Sequence, residues 1–142
     1  MKETLKVGLK YEHRYVVEQD KTVPFIYPQS EELSVMPEVF ATGFMVAFLE
    51  LACIKCINPH LDLQTEQTLG IHVNVSHEAG TPLGFEVVAN VELIKVEGKK
   101  LTFKVEASDG VDIISRGEHE RFVIAKDRFV DKMNKKAQSH IE

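Results

Sequence analysis

Hydrophobic and polar positions divide the chain into a strand, a long polar loop, one apolar helix and a further run of strands. From Lys10 to Glu18, Tyr11, His13, Tyr15 and Val17 alternate with polar neighbours, which is the period of a half-buried strand. Pro24, Pro28 and the polar stretch Gln29–Glu32 follow, a connection too long and irregular for a hairpin and of the kind that forms lids or binding loops. A helix is predicted next, with Thr42 near its start as N-cap and Asn58–Pro59 as its stop signal. Between Gly43 and Ile57 the only charged residues are Glu50 and Lys55, so this helix is apolar almost all round and needs cover on nearly every side.

After Gly70 the pattern returns to strand. Ile71, Val73 and Val75 share one face, His72, Asn74 and Ser76 the other, and His77 prolongs the apolar side. Turns at Gly80–Gly84, Glu97–Gly98 and Ser108–Gly110 separate this strand from Phe85–Val96, Leu101–Ala107 and Val111–Ile124. Such short links predict an antiparallel meander. From Lys126 onward Phe129, Val130 and Met133 lie among charges, which suggests a short amphipathic helix that frays at Lys135–Lys136. The expected architecture is α+β, a curved antiparallel sheet around one central helix. A sheet covers only one side of such a helix, and a second subunit is the simplest cover for the other.

At 142 residues the chain is long enough for one core and too short for two, so residues 1–142 are read as one domain. The net charge of -5, with Lys and Arg scattered, gives no footprint for nucleic acid or an anionic membrane. No apolar stretch follows the charged N-terminus, and no apolar run approaches the ~20 residues that span a bilayer, so a cytoplasmic location is expected. Cys53 and Cys56 are spaced CxxC but sit inside the apolar helix with no second Cys or His pair at ligand spacing; they read as buried thiols, and no metal or redox cofactor is expected.

Three places in the chain carry candidate chemistry. An unpaired carboxylate in an apolar helix costs several kcal/mol or is neutralised, so Glu50 is either paired or used. The plain alternative is a solvated edge or a pair with Lys55, at a spacing poor for a helical ion pair. His77 is aimed at the helix and becomes a candidate acid or base beside such a carboxylate, although a histidine on an apolar face is more often a hydrogen-bonded core residue. Thr42 and Gly43 stand where free N–H groups and the helix dipole favour an oxyanion, though an ordinary N-cap looks the same. Thr42 and Glu50 are separated by eight residues of helix, or about 12 Å, too far to touch one acyl carbon. If they share a site, they come from different subunits, with two such helices packed antiparallel about a two-fold axis.

Val39–Val46, Glu50 with Ala52–Cys53, Leu69–Gly70, His77, Thr81–Pro82, Val96–Gly98, Ser108–Asp112 and Gly117–Arg121 together resemble the fluoroacetyl-CoA thioesterase family of hot-dog proteins. The similarity runs from about Val7 to Phe129. It implies a homodimer, or a dimer of such dimers, that hydrolyses a short-chain acyl-CoA, with CoA as part of the substrate. Thr42, Glu50 and His77 match the family's catalytic residues, and Gly43, Met36, Phe40, Gly70 and Arg121 are expected to line the substrate site. Glu50 would attack the thioester carbonyl or activate water, His77 would orient the attack and assist the departing thiolate, and Thr42 would hold the acyl group. Arg121 and Arg116 would engage CoA phosphates or brace the site. Where the fluoroacetyl-specific pattern is aromatic in the lid and has Trp after the glutamate, this chain has Val35–Met36 and Leu51, softer and smaller fillers. The resemblance therefore implies hydrolysis of small acyl-CoA esters without specifying fluoroacetyl-CoA. Two other readings remain: a hot-dog hydratase or dehydratase acting on enoyl-CoA, and a non-catalytic acyl-CoA-binding module.

Overall fold

Strand-forming alternation near the start of the chain and again from residue 66 onward produces one five-stranded antiparallel sheet, seen here in a computed structural model that describes residues 1–141. The elements are β1 (Lys10–Val16), a four-residue α1 (Glu31–Ser34), α2 (Thr42–Ile57), β2 (Glu66–Val75), β3 (Glu86–Glu97), β4 (Lys100–Ser108), β5 (Ile113–Ala125) and α3 (Lys126–Ile141). Strands β3, β4 and β5 form the expected meander. The sheet order, however, is β1-β3-β4-β5-β2. The reading of β2 and β3 as hairpin partners is therefore corrected: β2 lies on the far edge beside β5, and the segment from 76 to 85 crosses from that edge past β5 and β4 to the interior strand β3.

Helix α2 packs over β1, β3 and β4. Met45, Leu49, Ala52, Cys53 and Ile57 on its inner side meet Val87, Ala89, Leu93, Phe103 and Val105 in one core. The two thiols are buried, and burial pushes Cys56 up to about 11 and Cys53 further. At this depth neither is a nucleophile at neutral pH. By length and composition Thr42–His60 does reach what a bilayer crossing requires, contrary to the sequence reading; its seat on the sheet accounts for the same composition.

Because α2 covers the β1 side, the concave face at β2 is left open. Ile71 and Val73, read as core-facing, are 50% and 42% exposed. The cause is the edge position of β2 together with a register shift between Gly70 and His72. The C-terminal helix continues to Ile141 instead of fraying at Lys135. Lys, Met, Ala and Gln are good helix formers, and they outweigh the unfavourable run of charge.

A polar latch ties the two loop regions at the N-terminal end of α2. Asp109 accepts from the Thr81 hydroxyl (2.9 Å) and from the amides of Val111 (3.0 Å) and Asp112 (2.8 Å). The Thr81 carbonyl in turn accepts from the Phe40 amide at 2.8 Å, just ahead of α2. Burial alone would raise the Asp109 pKa, yet the amides of Asp112 and Val111 and the Thr81 hydroxyl together hold it below 3.8. Replacing Asp109 by Ala strands a fully buried Thr81 hydroxyl, so a loss of about 2 kcal/mol and a Tm lower by roughly 5–10 °C are expected at pH 7. A depressed carboxylate stabilises the fold above its unfolded pKa and ceases to do so as pH falls through the folded one. Thermal melts should therefore show the gap between parent and variant closing in acid below about pH 4.

Candidate active site

The polar side chains around α2 fall into two groups at different points along the helix. The first lies at its N-terminus. Ala41, not Thr42, is the N-cap, and Thr42 is the first helical residue, so the N-cap reading is corrected. Its hydroxyl bonds no helix amide and instead meets Nδ1 of His77 at 2.7 Å. The first helical bond is made by the Met45 amide to Ala41 at 2.8 Å, which places the N–H groups of Thr42, Gly43 and Phe44 ahead of the ladder and available to a developing negative charge. A side chain added at Gly43 would meet nothing within 4 Å, so the approach to these donors is open. His77 sits just past the end of β2, and its Nε2 is buried without a partner among the described residues. Burial lowers the His77 pKa below 6.5, partly offset by the Ala79 backbone, so the ring is neutral at pH 7.

The second group surrounds Glu50. The acid is neither unpaired nor matched with Lys55: Oε2 accepts from Arg121 Nη1 at 2.9 Å, and its side chain is 36% exposed while that of Arg121 is 5% exposed. The partner comes from β5 because a helix of this composition offers no cation at the right spacing. Thr68 on β2 receives Arg121 Nε at Oγ1 (2.8 Å) and Nη2 at its carbonyl (2.9 Å). His119 completes the set, with Nε2 at 3.1 Å from Arg121 Nη1 and 3.8 Å from Glu50 Oε2. Gly70, paired with Arg121 across the β2–β5 ladder, leaves space for the carboxylate: a Cβ there would lie 2.7 Å from Glu50 Oε2. A cleft lined by Ile54, Asn58, Leu63, Gln67 and Thr68 opens at this end.

The fluoroacetyl-CoA-specific thioesterase family matches residues 17–127 of the chain. A fluoroacetyl-CoA thioesterase from Streptantibioticus cattleyicolor is 45% identical over 136 residues, covering 96% of this chain and 97% of the relative. The chain belongs to this family. A solved structure of the fluoroacetyl-CoA thioesterase FlK superposes with a TM-score of 0.91 at 44% identity, over 94% of this chain and 98% of that one. A Thermus thermophilus protein described as a thioesterase superfamily member gives a TM-score of 0.85 at 29% identity over 99% of both chains. The fold is thus the hot-dog fold that the sequence implied.

Within this thioesterase fold the remaining expected site residues separate. Met36 is exposed in the loop between α1 and α2. Phe40 is 1% exposed and belongs to an aromatic cluster with Tyr15 and Phe48 that anchors the loop to the core; with Phe44, Phe48 and Leu51 it also lines an apolar cavity beside α2. Arg116 pairs with Glu78 at 2.9 Å on the surface. Thr68 and His119 were not anticipated. The signal for His119 was present, since it shares the inward side of β5 with Arg121 and Val123.

Proposed function

We propose that the protein is a homodimeric hydrolase of short-chain acyl-CoA thioesters, whose two sites each combine Thr42 and His77 of one subunit with Glu50 of the other. The observation that carries this reading is the division just described: the pair of Thr42 with His77 at the N-terminus of α2 and the braced carboxylate of Glu50 are separated by about 12 Å of helix, each lacking what the other supplies. The relatives named as fluoroacetyl-CoA thioesterases support the reaction class.

Dimerisation supplies the missing half. Strand β2 is a ten-residue sheet edge bearing exposed Ile71 and Val73, an arrangement that invites another strand. Two copies joined edge to edge would place the α2 helix of one over the open concave half of the other. An antiparallel pairing brings Thr42 of one helix opposite Glu50 of the next and centres the two-fold axis near Val46.

In such a site the N-terminal amides of one α2 receive the thioester oxygen as it becomes an oxyanion. Glu50 of the other subunit attacks the carbonyl carbon to form an acyl anhydride that water then opens, or takes the proton from the attacking water. Either route consumes one water and yields a free acid and CoA. His77, held by Thr42, orients the attack and, as a neutral ring, offers its N–H as a hydrogen bond to the departing CoA sulfur, while the proton that completes the thiol comes from the water consumed. This chemistry calls for no metal or redox cofactor. Val35, Met36 and Leu51 favour a small aliphatic acyl group over one selected by aromatic packing.

Release of free thiol from a panel of acyl-CoA esters tests the assignment. Thr42→Ala and His77→Ala should each lower kcat by roughly 10²-fold or more, with the folded state retained by circular dichroism. Parent-like turnover in both variants would remove the N-terminal pair from the mechanism.

A further inference from the structure

Arg121 is fixed before it reaches Glu50. Two of its nitrogens are held by Thr68, and Nη1 divides its hydrogens between Glu50 and His119. A guanidinium has no acceptor, so Nε2 of His119 must present its lone pair to Nη1. The other ring nitrogen then carries the hydrogen and donates it to the His72 carbonyl at 2.8 Å. The imidazole is buried, neutral and confined to one tautomer.

We propose that His119 is a positioning residue: by accepting from Arg121 as a neutral ring, it aims the guanidinium at Glu50 and leaves that carboxylate facing a single cation. This rests on the reading of Glu50 as the reacting carboxylate. Protonation would turn Nε2 into a donor 3.1 Å from Nη1 and 3.8 Å from Glu50. Two cations would then oppose each other, and the Glu50 carboxylate, drawn into ion pairs with both, would be held away from the carbonyl or water it must attack.

The surroundings favour the neutral form. Burial lowers the His119 pKa most; the His72 carbonyl raises it, Arg121 lowers it, and Glu50 and Glu120 raise it. Glu50 faces the ring from α2, and Arg121 and Glu120 lie on its own strand. Glu120 is itself paired with Lys100 of β4 at 3.3 Å, and the residue opposite His119 on β4 is the apolar Phe103. Activity should thus fall as pH drops through a value below 6.5, with His119 contributing one of the protons responsible.

The test compares parent, His119→Gln, His119→Leu and Glu50→Gln in thiol release from a short-chain acyl-CoA between pH 4.5 and 8, with Tm recorded for each. Gln retains an acceptor for Arg121 and cannot titrate; it should keep most of kcat at pH 7.5, with an acid limb shallower by one proton. Leu retains neither and should lose kcat on the order of 10²-fold, with a much smaller change in KM. A folded Leu variant with the parent's kcat, a Gln variant as slow as Leu, or an unchanged acid limb in Gln would overturn the proposal. If Leu does not fold, the acid limb of Gln decides. The two failures are separable: an active Glu50→Gln rejects the underlying reading, whereas an inactive one beside a parent-like His119→Leu rejects positioning alone.

Discussion

Glu50→Gln should lower kcat by roughly 10²- to 10⁴-fold while leaving a folded protein. The substitution keeps the volume of the side chain and an oxygen that can accept from Arg121 Nη1, at 2.9 Å in the parent. It removes the negative charge that attacks the carbonyl or takes the proton from water. Arg121 would still hold Thr68 Oγ1, the Thr68 carbonyl and His119 Nε2. Since the Glu50 side chain is partly open to solvent, the lost pairing should change stability by no more than about 1 kcal/mol. Thiol release measured beside a thermal melt separates the two effects. Full activity would dismiss the carboxylate as the reacting group.

Gly70→Ala should have the second-largest effect, through displacement alone. The added methyl would stand 2.7 Å from Glu50 Oε2, 3.2 Å from His119 Cε1 and 3.3 Å from Arg121 Nη1. The first distance is below any real contact, and the atom in the way is the mobile end of a long side chain, so the carboxylate moves while the backbone stays. Stability should fall by less than about 1 kcal/mol, because a flexible terminus gives way cheaply. Turnover should fall on the order of 10²-fold, the effect of a reacting group misplaced by about 1 Å. Steady-state kinetics should place the loss in kcat, and an unchanged rate would show that the carboxylate need not sit where it does.

How much of this was legible in the sequence depended on the range of the interaction. A charge inside an apolar helix is visible in a window of a few residues, and Glu50 stood out for that reason. Its partner did not, because Arg121 arrives from a strand 71 residues away and nothing in the helix announces it. His119 could have been found by extending the strand alternation through the Gly117–Val123 segment, where polar residues fall on the inward side. The position of β2 was beyond local reading: a short connection looks like a hairpin, and only the pairing of β2 with β5 shows that the chain crosses two strands of the sheet to reach β3. The N-cap was displaced by one residue, which matters chemically, since it frees the Thr42 hydroxyl for His77 instead of a helix amide.

The central claim is that each site is shared between two subunits. Co-expressing differently tagged Thr42→Ala and Glu50→Gln chains and purifying the mixed dimer tests it directly. In the shared arrangement, one of the two sites in that dimer combines an intact Thr42 from one chain with an intact Glu50 from the other, and the second site carries both lesions. The mixed dimer should recover about half of the parent turnover per dimer, while each parental homodimer stays near background. A mixed dimer as inactive as the two homodimers would mean that Thr42 and Glu50 act within one chain, and the shared site would be contradicted.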